Sequence, residues 1–369
     1  MLSRKQKNDI ASQFEYDSEF IHSRIELSPI CMPLSNRVYT FPQLNPLSFH
    51  GLPGLLADSL PDNFGNKVIN SWLSRQGRSK ESFSAIKRLC YMGTRGMGAL
   101  EYKPAFDLGP SNSEPVEVEQ LVKLASDVLL ERESERLKAD DIRKKALLKF
   151  GTSAGGARPK AIIAWNEKTG EVRSGQIDAD DGFEHWILKL SGVQKGGGYG
   201  KADADDYSLV EYAYYKMALN AGITMRECRL LERENYKHFM TKRFDRISGP
   251  HSKLHMQTLA GLAHYDFKKP GAYSYEQAAA ICLQLGLKQE CLEELFRRMV
   301  FNVFSYNCDD HVKNFSFLMN RKGQWTLSPA YDLTFSYRPD SIWINSHQMT
   351  IDGKRDNIHQ KHCLTQQKL

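Results

Sequence analysis

The residues best suited to chemistry lie late in the chain, in Asn307-Cys-Asp-Asp-His-Val-Lys-Asn314, with Asp332 eighteen residues further on. Asp309 and Asn314 stand five apart. That is the spacing at which a phosphoryl-transfer loop sets a carboxylate to orient the acceptor hydroxyl and an amide to hold magnesium. Asp332 follows a predicted hairpin, where the second metal-binding carboxylate of such a site would stand. Phosphoryl transfer needs a set of this kind, because magnesium takes hard oxygen ligands and the developing charge must be met by fixed cations. Taken alone, the same stretch also reads as a solvated polar turn between a helix and a strand.

Further candidates lie upstream. Ser153-Ala-Gly-Gly-Ala157 precedes a predicted strand and carries no large side chain. Its backbone N–H groups can come close to phosphate oxygens, or the segment can be an ordinary tight turn. No Gly-Lys-Ser/Thr follows, so it is not a Walker A loop. Lys189 interrupts the apolar run Trp186-Ile-Leu-Lys-Leu190, where a lysine either snorkels from an edge strand or points into a cleft to meet phosphates. Glu211 can orient that lysine. Ser208-x-x-Glu211 is also a capping box at a helix start, and the cap is the favoured reading, although the two are compatible.

The elements that must position these residues follow from periodicity. Phe64, Val68, Ile69, Trp72 and Leu73 recur at helical spacing between Asp62 and Gly77, and a second helix is expected over 82–91. Residues 14–50 read as short strands and turns. The stretch 107–115 is the best linker, and 117–149 reads as one long or one broken charged helix. A hairpin is expected over 160–173 with Gly170 at its tip, then strands at 185–190, 228–232 and 238–244, with a helix from 208 to about 221. Residues 275–306 read as mainly helical, followed by the polar loop 307–314 and a hairpin over 315–327. Strands with one helix, then helices, then a polar loop and hairpin imply an α+β chain with two lobes and a cleft.

Composition narrows the class. The chain has 369 residues, 41% hydrophobic and 25% charged, the mix of a soluble globular protein. Fifty Lys+Arg against 44 Asp+Glu give +6, too dilute to argue for direct nucleic-acid binding. No run approaches the ~18 apolar residues of a membrane helix. The polar, basic start has no apolar stretch behind it, so a secretory signal is not expected. Seven scattered cysteines without a CxxC pair fit neither a disulfide framework nor a zinc site, and read as reduced thiols in a cytosolic protein.

Leu56-Ala-Asp-Ser-Leu-Pro-Asp62, Ser153-Ala-Gly-Gly-Ala-Arg-Pro-Lys160, Ile187-Leu-Lys189, Lys242-Arg-Phe-Asp-Arg246, Asp309-Asp-His-Val-Lys-Asn314 and Tyr331-Asp332 occur in one order. In this the chain resembles the HipA family of serine/threonine kinases, the toxins of bacterial type II toxin–antitoxin modules, from about residue 14 to 358. The resemblance implies a bilobal, protein-kinase-like α+β fold. It would have an N-terminal HipA-type subdomain over 1–110, a nucleotide-binding lobe over 111–245 and a helical catalytic lobe over 246–369. ATP and Mg2+ are its implied cofactors. Asp309 would be the catalytic base, and Asn314 and Asp332 the metal ligands. Ser153, Ala154, Gly155, Gly156, Ala157 and Lys160 would lie over the phosphates, and Lys189 would contact them. Lys242 and Phe244 would form the adenine-facing hinge through backbone groups, with His311 and Lys313 beside the nucleotide. Ser153 matches the serine that such kinases autophosphorylate, which would switch the enzyme off by repelling the nucleotide.

The implied partners are a small helix-turn-helix antitoxin of the HipB kind, DNA only through that antitoxin, and a cytoplasmic protein substrate, by family analogy an aminoacyl-tRNA synthetase. No membrane is implied. The sequence departs from the family's pattern at both ends, and residues 358–369 show no apolar periodicity, so they are expected to be unpacked. Two other readings stay open. One is an inactive, shortened remnant that binds an antitoxin on DNA; the other is a small-molecule phosphotransferase, since such enzymes share the Asp-x4-Asn loop.

Overall fold

The computed structural model describes residues 2–3, 11–106, 115–130, 158–175, 181–193, 202–247 and 253–365. The Ser153–Ala157 segment, most of the expected linker and residues 131–150 lie outside them. The chain divides into two compact units. The first takes Met1–Asp58, Tyr214–Met225 and Leu254–Leu369, and the second Ser59–Ala213 and Arg226–Lys253. Compactness thus cuts the chain at other places than the sequence boundaries at 110 and 245.

The first unit opens with a two-residue ladder of β1 (Leu2–Ser3) and β2 (Gln13–Phe14), then the short helices α1 (Ser18–His22), α2 (Pro46–Phe49) and α3 (Gly54–Ala57). Strands expected over 14–50 are largely replaced by these turns of helix. The cause is local: the Asp17 carboxylate accepts from Glu19 N at 2.8 Å, Asn45 Oδ1 accepts from Leu47 N at 3.0 Å, and Pro46 stands in the first turn. Arg37–Pro42 contributes only the bridge from Tyr39 to Phe14.

The second unit begins with α4 (Asn63–Arg75), capped by Asp62, whose carboxylate accepts from Gly65 N at 2.7 Å. It continues with α5 (Ala85–Met92), capped by Ser84, and α6 (Val118–Leu130). Phe64, Ile69, Leu73, Tyr91 and Leu124 make one core among these helices. Next come β3 (Lys160–Trp165), β4 (Val172–Ser174), β5 (Glu184–Lys189), α7 (Ala202–Asn220), β6 (Cys228–Arg233) and β7 (Tyr236–Lys242). The strands form an antiparallel sheet in the order β4-β3-β5-β7-β6. Its core includes Leu121, Ile163, Trp186, Leu188 and Met240. Gly170 turns the first hairpin at φ +71°, as its position at the expected tip requires. Helix α7 starts six residues before the expected Ser208, so Ser208 and Glu211 are interior positions and the capping-box reading is wrong.

The rest of the first unit comprises β8 (His255–Thr258), α8 (Leu259–Ala263), α9 (Tyr275–Gln284), α10 (Gln289–Phe304), β9 (Ser316–Met319), β10 (Trp325–Leu327) and α11 (Gln360–Thr365). The sheet order is β10-β9-β8. A true capping box, Ser274 with Gln277, starts α9. Helices α3 and α8 meet through bare backbone: a Cβ on Gly54 would fall 2.0 Å from Gly261 O, and one on Gly261 would fall 2.1 Å from Asp58 Oδ2. The main core gathers Leu259, Leu262, Ile281, Met299, Phe315 and Phe317. Cys363 of α11 is buried in that core and Ile358 packs on it, so through residue 365 the C-terminal segment is not the unpacked tail expected from its lack of periodicity. Ile358 and Cys363, five residues apart, supply the apolar contact, which is too little for a periodicity to register. No helix among the described residues is long and apolar enough to cross a membrane.

Candidate functional site

Helix α10 ends at Phe304, and the next residues turn sharply, with Tyr306 at φ +55°. The loop that follows is fixed from below by a buried polar chain. Asn307 Nδ2 donates to Asn302 Oδ1 at 2.9 Å, and Asn302 Nδ2 donates to Tyr275 Oη at 3.0 Å. The Tyr275 hydroxyl donates to Asp310 Oδ2 at 2.7 Å. Asp310 also accepts from Gln348 N at 2.7 Å and His347 Nδ1 at 3.1 Å. Burial alone would lower the His347 imidazolium, but its hydrogen bonds with Asp310 and Cys308 and the Asp310 charge outweigh it and lift the group to about 10. His347 is therefore a cation at neutral pH, and it neutralises a carboxylate that is 1% exposed.

Asp309 is the opposite case. Its side chain is 48% exposed, and His311 Nε2 lies 3.9 Å from its Oδ1. Asn314 Nδ2 donates to the Asp309 carbonyl oxygen at 2.7 Å, so the five-residue spacing closes into a bonded loop. That bond uses the NH2 end of the amide and leaves its hard oxygen as an acceptor. His311 Nδ1 is buried and makes no hydrogen bond, and its ring lies 6.1 Å from Phe267. Lys313 Nζ sits 4.5 Å over the same Phe267 ring. It also pulls down the buried Asp58 carboxyl, which burial pushes up more strongly.

Asp332 is tied to this loop through its neighbour. The Tyr331 hydroxyl donates to the carbonyl of Lys313 at 2.7 Å, so the residues preceding Asp332 and Asn314 are hydrogen-bonded to each other. Asp332 itself has φ +58°, a left-handed conformation unusual for a non-glycine residue and one that recurs at functional sites. Asp309, His311, Lys313, Asn314 and Asp332 thus belong to one bonded constellation in the first unit. Carboxylate and amide oxygens are the donor set that magnesium takes, and the unused His311 nitrogen is a polar group suited to a ligand. The residues fit the expected group.

The second unit holds the lysines. Lys160 of β3 and Lys189 of β5 are direct cross-strand partners, so their side chains share one face of the sheet. Lys189 Nζ binds the Glu211 carboxylate, with side chains 14% and 4% exposed, which makes Glu211 its orienting partner. Lys160 Nζ lies 3.8 Å from Asp62 Oδ2, both nearly buried. Lys242 pairs across β7 and β5 with Trp186, so its side chain lies on the opposite face from Lys189, and its Nζ binds Glu184. Its N–H donates to Glu227 O at 2.9 Å. Phe244 stands in the bend after β7 and is half-buried.

The family that matches residues 1–103 is the HipA N-terminal domain, and residues 152–368 match the HipA-like C-terminal domain. The chain belongs to the HipA family. The solved HipA of the Shewanella oneidensis MR-1 toxin–antitoxin system, in complex with HipB and its operator DNA, is similar at a TM-score of 0.69. It shares 18% sequence identity, and the match covers 100% of this chain and 81% of that one. That likeness establishes the fold, the kinase-like α+β architecture expected from the sequence. No curated protein matches the chain.

Several members of the HipA motifs do work that sequence reasoning did not assign. In Lys242-Arg-Phe-Asp-Arg246 the buried Asp245 accepts from Arg243 Nε at 2.9 Å, Arg246 Nη1 at 2.6 Å and Gly98 N at 2.7 Å. Burial alone would raise its carboxyl, but the two arginines hold it well below the usual range. Arg246 Nη2 adds a bond to Gly96 O at 3.1 Å, so the motif clasps the glycine-rich 93–98 segment. In Leu56-Ala-Asp-Ser-Leu-Pro-Asp62, Asp58 accepts from Thr258 N at 2.7 Å and from its hydroxyl, while Asp62 caps α4 and faces Lys160. Paired charges inside short motifs were the available signal. Their partners lie up to 200 residues away, beyond what spacing reports.

Proposed function

We propose that this HipA-family protein is an ATP- and magnesium-dependent serine/threonine protein kinase of the toxin type. The observation that carries the reading is the division of labour between adjacent carboxylates. Asp310 is buried and saturated by three donors, whereas Asp309 is open and joined to Asn314. A general base needs a carboxylate that can reach a substrate proton, and only Asp309 has that access. ATP with magnesium would supply the phosphoryl group and the charge that steadies it during transfer. Asp309 orients the acceptor hydroxyl and takes its proton. Asn314 and Asp332 offer the oxygens that hold the cation. Lys189, aimed by Glu211, and Lys160 beside it offer positive charge to phosphates, with His311 and Lys313 flanking the base.

The likeness to a HipA solved with HipB and operator DNA supports a small helix-turn-helix antitoxin as partner, with DNA reached through it. The substrate would be a cytoplasmic protein, by family analogy an aminoacyl-tRNA synthetase. Ser153, outside the described residues, would be the autophosphorylation site and off-switch. The test is incubation of the purified full chain with labelled ATP and magnesium. Label should appear on the protein itself, and Asp309→Asn should slow its appearance by about 10²-fold or more. Equal labelling of the two proteins removes Asp309 from the role.

A further inference from the structure

Helix α6 and the β6–β7 hairpin form the walls of a pocket of about 270 Å3, wholly within the second unit. Glu119, Lys123 and Asp127 line it from α6, and Arg233, Tyr236 and His238 from the hairpin. We propose that this pocket binds a free α-amino acid, with its carboxylate on His238 and Arg233 and its ammonium on Glu119 and Asp127. The phosphotransfer site uses none of these residues.

The observation that points to a ligand is His238, which is only 1% exposed yet lines the pocket. Its Nδ1 accepts from Ser191 N at 3.0 Å, which fixes the tautomer and puts the ring hydrogen on Nε2. Burial lowers the imidazole to about 4, with Glu119 opposing the effect and Arg233 adding to it, so at neutral pH the ring has one hydrogen to give. Among the described residues nothing accepts that hydrogen, and a buried donor in this state calls for an acceptor. The ring is locked from behind: Ser191 Oγ donates to Lys237 O at 2.8 Å and shares another bond of 2.8 Å with Ser208 Oγ. Arg233 is held too, by bonds to Glu232 O at 3.0 Å and Gly170 O at 2.8 Å. The Tyr236 ring lies so near Gly192 that a Cβ there would fall 2.5 Å from it, which fixes an aromatic wall.

The charges choose the ligand class. Glu119 and Arg233 both act on the imidazole, so opposite signs converge on one point. An anion alone would meet Glu119, Asp127 and Glu234; a cation alone would meet Lys123 and Arg233 and leave the Nε2 hydrogen unused. A molecule with both signs a few bonds apart satisfies both sets. The volume falls just below the usual range for drug-sized ligands, about 300–1,000 Å3, which suits one amino acid rather than a nucleotide or a peptide.

The experiment is thermal unfolding of the full chain, without nucleotide, in about 10 mM of each protein-forming L-amino acid in turn. At least one should raise Tm by about 2 °C or more. Its methyl ester, which lacks the carboxylate, and its N-acetyl derivative, which lacks the ammonium, should lose the shift. Glu119→Gln, at a half-buried position, should weaken the titrated affinity about tenfold or more. No shift across the series, equal shifts with the ester and the N-acetyl derivative, or undiminished affinity in Glu119→Gln overturns the proposal. The analogue series uses wild-type protein, so a variant that fails to fold leaves the test intact. With no nucleotide present, the outcome is independent of the phosphotransfer reading.

Discussion

Changing Asp309 and Asp310 to asparagine one at a time separates chemistry from folding at two adjacent positions. Asp310→Asn keeps size and shape but removes the charge that faces the His347 imidazolium and the acceptor capacity that satisfies three donors. Removing one partner of a buried ion pair costs about 3–5 kcal/mol, because the other charge is left without compensation. His347 can escape part of that cost by losing its proton in the variant, which places the expected loss near the lower end, about 3 kcal/mol. Set against a total stability of about 5–15 kcal/mol, this is a large fraction. Asp309→Asn changes a half-exposed side chain and should stay within about 0.5 kcal/mol of wild type.

Urea denaturation followed by fluorescence reads the first quantity, and autophosphorylation rate at a temperature where both variants are folded reads the second. The Asp310 variant should unfold at clearly lower urea and keep substantial activity while folded. The Asp309 variant should unfold with wild type and lose about 10²-fold or more in rate. Wild-type stability in Asp310→Asn, combined with lost activity, would mean that the buried carboxylate and not the open one does the chemistry.

His347 makes the protein's stability depend on pH in a stated window. Its folded value, about 10, lies above the ordinary 6.5, so its contribution is complete below about pH 6.5 and is lost as pH rises through about 10. The difference in unfolding free energy between wild type and His347→Gln should shrink steadily across that range; a difference that grows with pH contradicts the assignment. Lys189→Ala should weaken nucleotide binding and also lower apo stability by about 3 kcal/mol, because it takes a cation away from the buried Glu211 carboxylate. Lys189→Met with Glu211→Gln should recover most of that stability without recovering nucleotide affinity, as parallel melting and titration would show. Gly261→Ala should destabilise by about 2 kcal/mol or more, since its Cβ would overlap the Asp58 carboxylate at 2.1 Å; a wild-type melting curve would show that α3 and α8 can separate freely.

The parts of the molecule readable from sequence are those governed by short-range rules. Apolar spacing marked α4, alternating runs with Gly170 marked the first hairpin, and the Asp309–Asn314 interval marked the loop that Asn314 closes by hydrogen bonding. What escaped was set by distant partners. Ser208-x-x-Glu211 satisfies the capping rule on paper, yet α7 runs through it, and Glu211 turns to Lys189, which precedes it by 22 residues. The side-chain face of Lys242, opposite to that of Lys189, likewise follows from the pairing register of β7 and β5, which its motif does not report.

The loop itself shows why motif acids divide into two kinds. Asp58, Asp62, Asp245 and Asp310 are all buried or engaged by backbone donors and cations, and each holds two segments together. A carboxylate held inside the protein in this way is out of reach of a substrate, and moving it would break hydrogen bonds worth about 1.5–3 kcal/mol each. Asp309 differs from these in being half-exposed, with His311 Nε2 3.9 Å from its Oδ1. The structural acids make the loop rigid enough for the exposed one to be placed accurately. Placement of this kind, more than any intrinsic reactivity of a carboxylate, is what a phosphoryl-transfer base contributes.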